Sequence, residues 1–372
     1  MAEQQAFKDQ LHAARVRKIG KALADANPGF DGKAFARSAS QGLEELELKA
    51  RVKHIIAALH VHLPGDYGAA LEVLLRAGRA SLQQGEGAVI RGFAAWPLID
   101  YIGEHGLGDP ARSLDALREL TALFSAEFAI RPFLLADSKG TLKRVMAWTR
   151  DERDDVRRLC SEGIRPRLPW GVRLDAFIED PSPVLRVLEK LKDDPSEYVR
   201  RSVANNLNDV SKDHPERVVE VCGKWMQRAS EERKWIVRHG TRSLVKAGQP
   251  DALALLGFDP GARVDVEGLV LKPKRLRVGD DLRFEFRLRS RAKKPEPLVV
   301  DYVVHHVKKG GHTTPKVFKL KQLTLAAGGE QTVQKVHKLR TISTRVYHPG
   351  KHSVEIQVNG KARARADFEL RV

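Results

Sequence analysis

The first two thirds of the chain carry the apolar periodicity of helices. Segments such as LEELELKARVKHIIAAL, YGAALEVLLRAG and SPVLRVLEKLK place apolar residues at i, i+3 and i+4, with proline or glycine between the segments. Strand-like alternation is scarce before residue 258. The pattern predicts an all-helical region over residues 1–258.

A weak internal repeat predicts how these helices stack. VRRLCSEGI from Val156, VRRSVANNL from Val199 and IVRHGTRSL from Ile236 superpose without gaps, with starts 43 and 37 residues apart. This spacing, together with the D-x-x-x-x-V-R pattern in DPSEYVRRSVANNL, is typical of HEAT-like repeats, whose helix pairs form a solenoid.

The superposition also predicts a polar stripe. Its third and seventh positions are four residues apart, so both lie on one helix face. The stripe is expected to be rich in arginine, or else these arginines only bond to Asp residues of neighbouring repeats. The residues concerned are Arg158, Arg201 and Arg238 at the third position and Glu162, Asn205 and Arg242 at the seventh.

The last third of the chain alternates apolar and polar residues instead. Alternation runs over residues 282–289, 298–304 and 354–358, after a turn-rich DPGAR boundary. It predicts an antiparallel sandwich of about seven strands over residues 263–372, similar to an immunoglobulin domain without an intersheet disulfide. Apolar positions are even-numbered on both sides of VNGK, so we expect a three-residue loop in which Val358 faces Ala362. The predicted fold class is an all-α HEAT-like solenoid followed by an all-β sandwich.

The positive charge is concentrated in the second region. The formal net charge is +17, and residues 263–372 contain 25 Lys+Arg against 11 Asp+Glu, which is +14 and leaves +3 for residues 1–262. Such a surplus favours a polyanionic partner, nucleic acid before membrane, because no basic amphipathic helix accompanies it.

Other classes of protein are disfavoured. No apolar run is long enough to span a bilayer, and the first residues do not resemble a secretory signal, so we expect a cytoplasmic protein. Cys160 and Cys222 lie in helical patterns and are expected to be reduced core residues. No spacing of Cys, His, Asp or Glu predicts a metal site, and no cofactor is expected.

One stretch carries candidate chemistry. In VRRLCSEGIRPRLPW, residues 156–170, a helix pattern ends at Glu162 and Gly163, where glycine permits a left-handed terminus. Two prolines follow, and the segment closes on Trp170, which is a costly residue to leave in a loop.

This stretch, together with SAEFAIRPFL at 125–134 and AWTRDERDDVRR, resembles the AlkC family of alkylpurine DNA glycosylases over most of residues 1–258. The resemblance implies a repair enzyme of HEAT-like repeats, in some members with an immunoglobulin-like domain. Such an enzyme hydrolyses the N-glycosidic bond of 3-methyladenine and 3-methylcytosine without flipping the base. The resemblance also implies active-site residues, namely Glu127, Glu162, Trp170 and Asp209.

The chemistry of a cationic lesion suits these residue types. A methylated base that is already positive leaves without a proton, so the enzyme must mainly stabilise the oxocarbenium-like sugar and orient water. Glu162 is the favoured carboxylate and Glu127 the second, while Trp170 offers a π face. In the alternative, Glu162 pairs with Arg158 or Arg165 on a solvated helix and Trp170 is a core residue.

Arginines are the candidate phosphate contacts, because guanidinium groups position a duplex without reading its sequence. The expected partner is double-stranded DNA containing alkylated bases, bound by a monomer associated with the bacterial nucleoid. The alternative function is a non-enzymatic scaffold that binds DNA or protein. The candidate arginines are Arg158, Arg165, Arg167, Arg201, Arg238 and Arg242.

Overall fold

The computed structural model describes residues 7–341 and 345–372. By compactness the chain divides into two units, Met1–Asp213 and His214–Val372. No helix in the described part of the chain combines the length and the apolar character that crossing a lipid bilayer requires.

In its described residues the first unit contains twelve α-helices joined by short turns and 3₁₀ segments. The helices are α1 (Ala13–Ala26), α2 (Gly32–Ser40), α3 (Leu48–His62), α4 (Tyr67–Gln84), α5 (Trp96–His105), α6 (Pro110–Leu120), α7 (Arg131–Ala136), α8 (Ser138–Trp148), α9 (Asp154–Glu162), α10 (Asp175–Glu179), α11 (Ser182–Leu191) and α12 (Glu197–Val210). They form because one face of each is apolar. In α11, for example, Val184, Leu188 and Leu191 are buried at the predicted spacing.

The repeat is visible in matching hydrogen bonds. Arg157 on α9 donates from Nη1 to the carbonyls five and six residues before it, both at 2.8 Å. Arg200 on α12 makes the same two bonds, at 2.7 and 2.8 Å. Arg157 also pairs with Asp194, at 2.6 and 3.0 Å, which ties one repeat to the next. The predicted HEAT-like region is therefore confirmed, and the arginine at the second position of the match carries the link between repeats.

In its described residues the second unit begins with four helices and continues with eight strands. The helices are α13 (Pro215–Met226), α14 (Glu231–Gly240), α15 (Arg242–Lys246) and α16 (Pro250–Leu255). The strands are β1 (Val264–Lys272), β2 (Arg275–Arg277), β3 (Asp281–Ser290), β4 (Glu296–Val307), β5 (Thr313–Leu325), β6 (Glu330–Lys338), β7 (Gly350–Val358) and β8 (Lys361–Arg371). The third copy of the sequence repeat lies in this unit, and its helix is interrupted at Thr241, between α14 and α15.

The strands form the predicted sandwich. A three-stranded sheet of order β1-β3-β6 and a five-stranded sheet of order β2-β8-β7-β4-β5 enclose one core. Strand β2 pairs in parallel with β8, and the other strand pairs of the described residues are antiparallel. Even-numbered residues such as Phe284, Phe286, Tyr302 and Ile356 fill that core, as the alternation requires. Both cysteines are buried and free, as expected from their patterns.

Helices α15 and α16 pack on the sandwich within this unit. Leu244, Val245, Ala252 and Leu253 form a small cluster with Val299 of β4. This apolar contact explains why the compact unit begins at His214, although the change from helix to strand lies between α16 and β1.

The predicted loop of the last hairpin is wrong. Val358 pairs with Lys361 across a two-residue turn, and the register shift lies between Ile356 and Gln357. Arg363 is the extra residue of this bulge, so Ala364 and Ala366 still face the core. The apolar residues are indeed even-numbered on both sides of the turn, but the bulge next to the turn restores their common face, so no longer loop is needed.

Tertiary contacts select this turn. Asn359 and Gly360 have φ angles of 46° and 77°, as a type I′ turn requires. The Asn359 side chain accepts from the Val299 amide at 2.8 Å and donates to the Asp259 carbonyl at 2.7 Å. A Cβ on Gly360 would lie 2.5 Å from the Cα of Gly248, so glycine is needed for close approach as well.

Candidate active site

Five charged side chains form an unbroken chain of alternating sign in the first unit. Glu127 accepts from Arg158 at 2.7 Å, and the other end of Arg158 lies 3.6 Å from Glu162. Arg165 then bridges Glu162 at 2.6 Å and Asp209 at 2.7 Å. All three carboxylates expected from the resemblance thus meet through two of the candidate arginines, although they come from segments up to 82 residues apart.

The middle of this charge chain is buried. Glu162 is only 4% exposed, and its second carboxylate oxygen accepts from the Ser202 hydroxyl at 2.6 Å. Burial alone would lower the pKa of Arg165, but the neighbouring Glu162 and Asp209 outweigh it, and the pKa is raised. Arg165 is therefore a fixed positive charge between two carboxylates.

Glu127 occupies the accessible end. It lies on the turn before α7 and lines a cleft of about 630 Å³ with Arg158, Phe124 and Tyr198. Arg158 also donates to the Ser125 hydroxyl at 2.6 Å, and its guanidinium lies 4.7 Å from the centre of the Tyr198 ring. Glu162 is not among the residues lining this cleft, because Arg158 lies between it and Glu127.

The loop after α9 presents Trp170 to solvent. Its side chain is 54% exposed, and its φ of 67° lies in the left-handed region that tryptophan rarely adopts. Gly163, by contrast, is right-handed (φ −63°), so the expectation of a left-handed terminus there is wrong. Glycine is needed at 163 because a Cβ would lie 2.7 Å from the side chain of Ile130.

The remaining candidate arginines are dispersed. Arg167 makes a two-pronged pair with Asp213, with both bonds at 2.7 Å, and the exposed Arg201 pairs with Glu197 on the same helix. Arg238 is an exposed residue of α14, and Arg242 begins α15, where it donates to the carbonyl of His239. These last two residues belong to the second unit.

Several residues of the site had no signal of their own in the sequence. Ser202 anchors Glu162, Tyr198 contacts Arg158, and the fully buried Arg131 binds the carbonyls of the loop. Asp100 accepts from the indole of Trp96 at 2.7 Å, and burial raises its pKa to about 7. Tyr198 and Ser202 lie in the quoted repeat segment DPSEYVRRSVANNL, where nothing marks them as residues of the site. Arg131 lies in SAEFAIRPFL, where its position four residues after Glu127 is a usable hint.

The charged side chains of the site are not grouped as metal ligands in the described part of the chain. Among residues 7–341 and 345–372, no group of three or more His, Cys, Asp or Glu is arranged to hold a metal ion. The chemistry available is that of carboxylates, guanidiniums and an exposed indole.

Comparisons with known proteins show what this chain is similar to. A family model described as the C-terminal Ig-like domain of the uncharacterised protein YhaZ matches residues 265–372. The protein YhaZ of Bacillus subtilis strain 168 is 35% identical over 326 residues, which is 88% of each chain.

A solved structure matches nearly the whole chain. It is the alkylpurine DNA glycosylase AlkC of Pseudomonas fluorescens bound to DNA containing an abasic site analog. The identity is 39%, the match covers 99% of this chain and 100% of that one, and the TM-score is 0.93. Together with the helical repeats and the Ig-like domain, these comparisons show that the chain belongs to the AlkC family of alkylpurine DNA glycosylases.

Proposed function

We propose that this protein is a DNA glycosylase that removes alkylated bases by hydrolysing the N-glycosidic bond. The observation that carries the proposal is the alternating charge chain, which ends at Glu127 in an open cleft. The relative of known structure, which was solved with DNA containing an abasic site analog, supports the same reaction class.

We propose cationic N3-methylated bases as the substrates, namely 3-methyladenine and 3-methylcytosine. Such a base already carries positive charge and departs as a neutral molecule, so no general acid is required. As the bond from C1′ to the base nitrogen breaks, its electron pair leaves with the base and positive charge develops on the sugar. Water then bonds to C1′ and gives up a proton, which makes the enzyme monofunctional.

The charge chain suits that transition state. It contains three carboxylates and two guanidiniums, and Lys212 pairs with Asp209 at 2.9 Å, so the connected charges sum to zero. The negative charge offered to the developing cation is therefore the local charge of Glu127 at the cleft. We assign Glu127 to the sugar or to the attacking water, because it lines the cleft. Glu162, which the sequence favoured for this role, together with Arg165 and Asp209, is assigned to hold Arg158 and hence Glu127 in place.

Trp170 is proposed to meet the lesion or its sugar with its exposed ring. An aromatic face attracts a cation by about 0.5 to 2 kcal/mol, depending on desolvation. Because Arg165 is buried between two carboxylates, it has no face for a phosphate, and the phosphate contact expected from the sequence is not retained for it. Arg201 and Arg238 remain candidate phosphate contacts because both are exposed.

Duplex DNA is the proposed partner, approached by a monomer in the cytoplasm. The cleft of about 630 Å³ is open rather than a closed pocket for an extruded base, which supports excision without base flipping. The +14 carried by residues 263–372 would add affinity through phosphate contacts.

The experiment is direct. Duplex DNA treated with a methylating agent is incubated with the protein, and the released bases are separated by chromatography. We expect 3-methyladenine and 3-methylcytosine to appear and the DNA to become sensitive to alkali at the abasic sites. DNA binding without any released base would instead support a non-enzymatic scaffold.

A further inference from the structure

Two cations from distant segments hold the loop that carries Trp170. Arg131 at the start of α7 donates to the carbonyls of Val172 at 2.6 Å, Gly163 at 2.9 Å and Arg165 at 3.0 Å. Lys49 of α3 donates to the carbonyl of Trp170 itself at 2.8 Å. Four hydrogen bonds from two side chains thus fix the backbone on both sides of the exposed indole.

The loop needs such support. Left-handed backbone at a residue with a bulky side chain costs on the order of 1–3 kcal/mol, and it persists only when its surroundings impose it. Trp170 gains little from burial, since the residue is 54% exposed, and its ring makes an edge-to-face contact with the Phe7 ring, with centroids 6.3 Å apart. The bonds to the loop carbonyls are therefore the main restraints on where the indole points.

We propose that Lys49 and Arg131 are positioning residues that keep Trp170 outward and in register with Glu127. The proposal rests on the proposed function, in which Trp170 meets the lesion. Arg131 belongs to the segment that bears Glu127, four residues earlier, so its guanidinium connects the two halves of the site. Lys49 connects the same loop to α3 and acts through Trp170, with no contact to the reacting atoms.

A double-mutant cycle tests this role. Loss of a hydrogen bond from a charged donor should lower kcat/KM for base release by about 5- to 20-fold in Lys49→Met. Lys49→Arg should recover most of the activity, and Lys53→Met should change it less than twofold, since Lys53 is an exposed lysine four residues along α3. In a Trp170→Ala background, Lys49→Met should have almost no further effect. Equal losses in both backgrounds would overturn the proposal and indicate a direct contact of Lys49 with DNA.

A spectroscopic readout separates this proposal from the proposed function. The chain has five tryptophans, so the Trp170 signal is the difference between the protein and its Trp170→Phe variant. Acrylamide quenching of that signal should change in Lys49→Met and in Arg131→Lys, but not in Lys53→Met. Unchanged quenching in both variants would refute the positioning role of Lys49 and Arg131. If the protein released no base while quenching changed as expected, the proposed function would fail and this positioning role would stand.

Discussion

The two regions of this protein hold positive charge in opposite ways. In the helical unit the arginines near the site are paired with carboxylates and partly buried, as in Arg158 with Glu127 and Arg165 with Asp209. In the sandwich region, with its +14, exposed lysines such as Lys293 and Lys309 make no ion pair with a described residue. A fixed local field suits catalysis, whereas solvated charge suits long-range attraction to a polyanion. Net charge by itself therefore does not locate a site.

The sandwich itself contains both behaviours. Arg287 and Arg289 on β3 and Arg291 just after it lie within 3.9 Å of carboxylates of neighbouring strands. The carboxylates are Asp265, Glu267 and Glu330. That part of the sheet contributes less to the positive field than its arginine content indicates.

Breaking the buried part of the charge chain should have the largest effect. Arg165→Met leaves Glu162 and Asp209 buried without their shared partner, so we expect the free energy of unfolding to fall by about 3–5 kcal/mol. Urea denaturation followed by tryptophan fluorescence measures it. Arg201→Met is the matched control, and its exposed pair should contribute at most about 0.5 kcal/mol. Equal losses in the two variants would contradict a structural role for the charge chain.

Removing the accessible charge should affect catalysis instead. Glu127→Gln keeps the shape of the side chain but removes the negative charge facing the cleft, so single-turnover base release should slow by about 10²- to 10³-fold. Glu119→Gln serves as the control, because Glu119 is half-exposed and pairs with Arg79 outside the cleft. If Glu162→Gln slowed the chemical step more than Glu127→Gln, the assignment of Glu127 would be wrong.

Acid should weaken the sandwich before the helical unit. Burial lowers the pKa of His306 to about 3, and neither of its ring nitrogens has a partner among the described residues. In the unfolded chain the His306 ring takes up a proton below about pH 6.5, whereas in the folded chain it stays neutral until the pH approaches about 3. The contribution of His306 to the free energy of unfolding is therefore fully present above about pH 6.5 and is lost as the pH falls toward about 3. The slope is about 1.4 kcal/mol per pH unit for one such histidine.

His306→Phe should flatten this dependence. Hydrogen exchange of β4 peptides, compared at pH 7 and pH 5, should show less acid-induced opening in the variant than in the parent chain. Peptides from the first unit serve as the internal reference. Equal acid sensitivity of parent and variant would show that the buried histidine is not responsible.

The smallest expected effect concerns the solvated lysines. Replacing Lys293, Lys294 and Lys309 by glutamine should reduce the slope of log affinity for duplex DNA against log salt by up to about 3, with kcat unchanged at saturating DNA. Replacing Arg287, Arg289 and Arg291 should reduce it less, because carboxylates already neutralise them. A larger effect from the arginines would reverse the comparison. Fluorescence anisotropy over a salt series measures both.

The alternation and periodicity of the chain were sufficient for the two architectures, because apolar residues must face a core whatever their neighbours are. The motifs were sufficient to group Glu127, Glu162 and Asp209. They did not reveal that Arg158 lies between the first two, since the order of side chains along the charge chain depends on how α9 packs against α12 and the turn before α7. This is why the sequence favoured Glu162 and the geometry favours Glu127.

The local sequence pattern also predicted the wrong backbone conformation at positions where a distant contact determines it. The even-numbered apolar positions on both sides of VNGK are compatible with either a longer loop or a bulge. The hydrogen bonds of Asn359 to Val299 and Asp259 select the two-residue turn with a bulge. Likewise, glycine at 163 signalled a left-handed residue, while the left-handed residue is Trp170, held by Lys49. By itself the sequence determined the helices, the strands and the cluster of charged residues. The tertiary structure decided which carboxylate reaches solvent and which turn forms, because both depend on partners far away along the chain.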